Sequence, residues 1–191
     1  MSSARWAGKA SQYYINKMKK TFKDWIGSES FENGQQVETE FGILLKDRYP
    51  EAREATLEEQ YKHIDWVCDK GSIDVKAMKS VSRGSELQDK LIWLEFKNKV
   101  GDNGWLYGEQ DYIAFEYPGE YRIVHRLALV SLAEYLCDIN DMVDHASEAL
   151  YRGYTRQGMS DLLSMITTAD LMTIKPQQLP KDAVRDKVYE G

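Results

Sequence analysis

Polar and apolar positions alternate most cleanly over residues 61–76, Tyr-Lys-His-Ile-Asp-Trp-Val-Cys-Asp-Lys-Gly-Ser-Ile-Asp-Val-Lys. Two short β-type runs flank Lys70-Gly71, the composition of a hairpin. With Lys70-Gly71 as a two-residue turn, Asp65 falls across from Lys76 and diagonal to Asp74. Strand side chains alternate between faces, so Asp65, Asp74 and Lys76 share one face. Ile64, Trp66, Ile73 and Val75 share the other, which is expected to meet the core. Cross-strand neighbours lie about 5 Å apart and diagonals about 7 to 8 Å, within reach of one shared ion.

Upstream the apolar residues recur at helical intervals. Trp6, Tyr13, Tyr14, Met18, Phe22 and Trp25, with Lys17, Lys19, Lys20 and Lys23 between them, predict an amphipathic helix over 5–26, ended by Gly27-Ser28. Its aromatic stripe is expected to cover the domain body or a second subunit. Val37, Phe41, Leu44 and Leu45 predict a second helix over 35–48, closed by Pro50, with Glu38 at the border of the apolar stripe.

After a polar stretch over 80–89, residues 91–97 and 112–117 read as strands, the first followed by a Gly101-Asp102-Asn103-Gly104 turn and the second ended by Pro118-Gly119. Helical spacing then returns. Ile123, Leu127, Val130, Leu132 and Leu136 predict a helix over 122–137, with further helical stretches over 141–150 and 160–168. The tail from Lys175, broken by Pro176 and Pro180, is expected to be extended or mobile. Helices, then strands, then helices give an α+β or α/β class with a small mixed β-sheet flanked by helices. The 191 residues form one expected domain, with an N-terminal amphipathic helix (1–28), a core (34–117), C-terminal helices (120–174) and a tail (175–191).

The sequence has no run of about 18 apolar residues and no charged-then-apolar leader, so the expectation is a cytoplasmic protein without a membrane span. Cys68 and Cys137 lack any paired spacing and read as reduced, buried thiols. A net charge of −6 argues against indiscriminate coating of nucleic acid, which needs Lys and Arg to neutralise phosphates. It leaves room for a nuclease, whose metal-site carboxylates add negative charge that the ion cancels. Lys79, Lys97, Lys99, Arg122 and Arg126 are the basic residues that could meet DNA, with a solvated surface as the other reading.

Two carboxylates and an ammonium on one sheet face are the donor set of a divalent-cation site. A hard cation such as Mg²⁺, or Mn²⁺ in its place, takes oxygen ligands and keeps several waters, so Asp65, Asp74 and the Val75 carbonyl go far towards holding it. Lys76 would position or deprotonate a water, although the neighbouring acids favour its charged form. Glu95-Phe96-Lys97 is a competing acidic-X-Lys, and Glu95 could instead serve from an adjacent strand as an outer acid. His63 is expected on the same face as Asp65. Either tripeptide also reads as a surface salt bridge. No P-loop, GxGxxG or HExxH occurs. Asp138, Asn140 and Asp144 resemble a calcium loop only in part and read as a solvated helix end. Trp105 and Tyr107 read as loop anchors, with base stacking as the alternative.

The same residues carry a resemblance. Glu38 stands on a helix before the sheet, Asp65 at the start of a hairpin, and Asp74-Val75-Lys76 as an acidic-X-Lys on the next strand. This order resembles the PD-(D/E)XK nuclease superfamily, most closely phage and archaeal junction-resolving endonucleases in spacing. It covers residues 34–97, and Ile64 stands where the literal motif has proline. The resemblance implies a restriction-endonuclease-like core and Mg²⁺-dependent hydrolysis of DNA phosphodiester bonds, with structured or branched DNA as substrate. Glu38, Asp65, Asp74 and Lys76 become the catalytic set, and Glu38 a third metal acid. It also implies a homodimer, for which the aromatic N-terminal helix is the candidate contact, and host cytoplasm if the protein is phage-encoded. The alternatives are an inactive nuclease-fold DNA-binding protein and a phage accessory interaction protein.

Overall fold

The structure, a computed structural model, describes residues 29–81 and 85–182. The chain divides into two units, residues 1–36 and 37–191. The helix expected over 5–26, and the subunit contact assigned to it, lie outside the described residues.

The stripe of Val37, Phe41, Leu44 and Leu45 forms α1 (Glu29–Arg48), which starts earlier than expected and stops before Pro50, a residue that disfavours helix at the position preceding it. Ten strands follow among the described residues: β1 (Arg53–Glu54), β2 (Trp66–Cys68), β3 (Gly71–Lys76), β4 (Leu91–Lys97), β5 (Tyr112–Tyr117), β6 (Glu120–His125), β7 (Asp138–Val143), β8 (Arg152–Tyr154), β9 (Leu162–Thr167) and β10 (Gln177–Pro180). The other α-helices are α2 (Leu57–Gln60), α3 (Arg126–Leu136) and α4 (Thr168–Thr173). This is an α+β protein with two mixed sheets, ordered β1-β2-β3-β5-β6-β10 and β4-β9-β8-β7. In the larger sheet β3 and β5 run parallel and every other pair is antiparallel.

The larger sheet is buried on both faces. On one, Ile73 and Val75 of β3 and Tyr121 of β6 pack with the apolar stripe of α1. On the other, Ile113, Phe115 and Tyr117 of β5 pack with Ile92, Leu94 and Phe96 of β4 and with Leu129 of α3. Two sheet side chains pin α1 in register. Trp66 Nε1 donates to the Glu38 carbonyl at 3.1 Å and Tyr121 Oη donates to the Val37 carbonyl at 3.0 Å. The fit is close at Gly42, where a Cβ would lie 1.9 Å from the Trp66 ring.

Three segments expected to be helical are strands. Residues 120–125 form β6, paired with β5 through the Pro118-Gly119 turn and with β10 on its far side. The 3–4 spacing of Ile123, Leu127 and Val130 spans the junction between a strand and α3, and so imitates one helix. Residues 138–143 form β7 and residues 146–148 a single 3-10 turn, in place of the helix over 141–150. Asp138 and Asn140 therefore sit on a strand and not at a helix end. Residues 162–167 form β9, with Leu163, Ser164, Met165 and Ile166 all buried. A short strand buried on both faces has no alternation to distinguish it from helix. Part of the tail is ordered as β10 at the sheet edge, where Pro180 ends the strand. Cys68 and Cys137 are free thiols, half-buried and buried respectively. Among the described residues, no helix is long and apolar enough to cross a membrane.

Candidate active site

The β2–β3 hairpin forms with a different turn from the one its sequence suggests. Cys68 pairs with Gly71, so Asp69-Lys70 is the two-residue turn and Gly71 follows it. Gly71 has φ +133°, and a Cβ there would lie 2.7 Å from Asp111 Oδ2, an oxygen that accepts from Ser72 N–H and Oγ. Glycine is thus needed one step beyond the turn. The register places Trp66 opposite Ile73, and Asp65, just before β2, donates its N–H to the Ile73 carbonyl at 2.9 Å, so it lies level with the Ile73-Asp74 step rather than opposite Lys76. A two-residue shift preserves the faces. Trp66, Ile73 and Val75 face α1, while Lys76 points the other way, its Nζ 5.3 Å from the centre of the Trp105 ring.

Asp74 is 2% exposed. Its Oδ1 accepts from Lys76 Nζ at 2.5 Å, while Oδ2 is buried with no hydrogen-bond partner among the described residues. Burial, and secondarily the charge of Asp65, push the Asp74 pKa well above the usual carboxylate range against the pull of Lys76. Asp65, half-buried, accepts the Val75 N–H on Oδ2 at 2.7 Å. The two carboxyls lie close enough for a proton on one to be shared with the other. Ionised carboxylates only accept, so with both charged neither can donate to the other. Lys76 is held protonated: burial alone would lower its pKa, but Asp74, Asp65 and Glu95 outweigh it.

Glu38 reaches this charge cluster from α1, on the other layer. Burial and then Asp65 raise its pKa to about 7, opposed by Lys76 and Lys79. No hydrogen bond joins its carboxylate to Asp65 or Asp74 among the described residues. His63 is not on a strand. It precedes Ile64 in a left-handed conformation (φ +63°), half-buried, and burial followed by the charge of Lys76 lowers its pKa to about 4, so it is neutral at pH 7. Val75, whose carbonyl is a candidate ligand, is buried opposite Ala114 of β5.

Glu95-Phe96-Lys97 stands in the other sheet from Asp74. β4 pairs with β9 in the smaller sheet, and the neighbours of β3 are β2 and β5, so Glu95 is not on an adjacent strand. The pairing register with β9 shifts between Glu95 and Lys97, and Lys97 is exposed. Glu95 still faces the cluster, because its field acts on Lys76, and burial raises its own pKa. Of the basic candidates, Arg122 is paired with Glu120 at 2.7 Å over the Tyr117 ring, and Arg126 donates to the Gln110 carbonyl at 2.8 Å. Both serve the β5–β6 hairpin. Lys79 lies nearer the acids, its charge acting on Glu38. Although Lys79 keeps much of its surface, desolvation and then the like charges of Lys76, Arg156 and Lys99 lower its pKa. Trp105, a loop anchor as expected, forms with Lys76 and Lys79 part of the wall of a small open cleft. Arg156 and the buried Asp161, paired with each other, complete the charged surroundings. They sit in a polar segment with no motif, and the Arg-to-Asp spacing alone gave no signal.

The cation that the sequence suggests can be tested against these groups. Among the described residues, no three acidic, imidazole or thiol side chains are gathered closely enough to enclose an ion unaided. The orphaned Asp74 oxygen beside Asp65 nevertheless suits a hard dication, which needs few protein ligands and retains water. No protein-family model, curated protein or solved structure gives a match to this chain.

Proposed function

We propose that this protein is a divalent-metal-dependent endonuclease that hydrolyses DNA phosphodiester bonds, on a restriction-endonuclease-like core formed by α1, β2, β3 and β5. The observation that carries the reading is the buried Asp74, bonded through one oxygen to Lys76 and presenting the other, unpaired, beside Asp65. Acids with raised pKa values packed together form a site short of positive charge, which a cation would relieve.

Asp65 and Asp74 would hold Mg²⁺, with Glu38 bound to it or orienting a water. The bound ion would stabilise charge on the phosphate and acidify water. Lys76, locked in its charged form, acts as a donor that orients the nucleophile or the phosphate and not as the base. Burial and Asp65 raise the Glu38 pKa to about 7 in the metal-free protein, so a proton and a cation would compete for it near neutral pH. Lys76 Nζ lies 5.3 Å from the centre of the Trp105 ring, a cation–π contact that favours its charged form. The substrate class, structured or branched DNA, and a homodimeric state follow from the family resemblance.

A second reading, a nuclease-fold DNA-binding or phage accessory protein without catalysis, is favoured by the Lys76–Asp74 ion pair, in which Lys76 already supplies the positive charge. Cleavage of a substrate panel (linear duplex, single strand, flap and four-way junction) in Mn²⁺ separates the two. Cutting by the wild type that is lost in Lys76→Ala and Asp74→Asn supports the endonuclease. Binding without cutting by any of them supports the alternative.

A further inference from the structure

The loop between β8 and β9 holds an arginine in a preset position. Asp161 is 1% exposed and uses both oxygens on one residue: Oδ1 accepts the Arg156 backbone N–H at 2.9 Å and Oδ2 accepts Arg156 Nε. Thr155 Oγ1 donates to the Asp161 carbonyl at 2.8 Å, closing the loop on itself. Ser160 N–H donates to the Lys99 carbonyl at 3.2 Å, which ties the loop to the turn after β4. Arg156 nevertheless keeps 41% of its side-chain surface. A permanently charged guanidinium with one nitrogen fixed by a buried carboxylate presents its remaining donors in one orientation, the geometry that suits a phosphate.

Lys79 and Lys99 are exposed, and both Arg156 and Lys99 act on Lys79 as like charges. The position is also informative. Glu95 senses Arg156 and Lys76 together, which sets this basic corner beside the Asp65/Asp74 cluster.

We infer that Arg156, positioned by Asp161 and joined by Lys79 and Lys99, binds a backbone phosphate of DNA flanking the phosphodiester at Asp65, Asp74 and Lys76. The identity of the anion rests on the endonuclease reading. The built pair and the adjoining lysines are independent of it.

Fluorescence anisotropy of a short labelled DNA duplex with the full chain in EDTA, over about 50 to 200 mM salt, reads phosphate contacts without cleavage. Arg156→Ala is expected to weaken binding about tenfold and to reduce the slope of log affinity against log salt by about 1. Because that change strands a buried carboxylate, Lys79→Ala/Lys99→Ala is the second variant. It keeps the Asp161 pair and should also weaken binding and reduce the slope by up to about 1, because the three cations share one phosphate. Wild-type affinity and slope in both variants would overturn the inference, and Mn²⁺ binding retained in them would show that the metal reading stands without it. Reduced slopes in a protein that takes up no Mn²⁺ would leave the phosphate site standing and remove the metal.

Discussion

Lys76 Nζ donates to Asp74 Oδ1 at 2.5 Å from two positions along the same strand, while Asp74 Oδ2, also buried, has no partner among the described residues. Removing one member of such a pair leaves a buried charge, and removing both does not. Lys76→Met is therefore expected to destabilise the protein by about 1–3 kcal/mol at pH 8, and Asp74→Asn in the same chain to recover most of the loss. Urea unfolding of the two single variants and the double variant checks this. Simple addition of the single effects would contradict the coupling.

Glu38 and His63 set opposite pH windows. The folded pKa of Glu38, about 7, lies above its ordinary 4.5, so its contribution is fully present below 4.5 and is lost as pH rises through about 7. Glu38→Gln should remove that slope and leave the metal-free protein more stable than wild type at pH 8 by about 1–3 kcal/mol.

His63 behaves the other way. Its folded pKa of about 4 lies below its ordinary 6.5, so stability is present above 6.5 and lost as pH falls towards about 4. His63→Asn, which tolerates the left-handed backbone, should flatten the acid limb. Thermal melts from pH 4 to 8 check both windows, and curves parallel to wild type would contradict the assigned environments.

Gly42 is the point of closest approach between helix and sheet, with the Trp66 ring 1.9 Å from where a Cβ would stand. Alanine is the better helix former by roughly 1 kcal/mol. Gly42→Ala should nonetheless destabilise by about 1–3 kcal/mol, since overpacking must displace Trp66 and its hydrogen bond to the Glu38 carbonyl. Denaturant melts measure it, and stabilisation would show that the interface yields.

The hairpin, α1, β4 and β5 were legible because each carries its own period or a turn signal. Asp65, Asp74 and Lys76 fell on the expected face even though the turn is Asp69-Lys70, because the register error was an even number of residues. β6 and β9 were hidden, the first by continuity with α3 and the second by burial on both sides. Gly119, at φ +79°, with Pro118 before it, was the available clue to β6. The contribution of Arg156 depends on Asp161 and on contacts between the loops flanking β4 and β9, and no local sequence pattern encodes those.

The most direct test of the central claim is calorimetric titration of Mn²⁺ into the full chain, wild type against Asp65→Asn and Asp74→Asn, at pH 8 and again at pH 6. Binding by wild type alone, weakening at the lower pH as Glu38 takes up a proton, is the predicted result. The same heats in wild type and Asp74→Asn, or no binding by wild type at either pH, would contradict it.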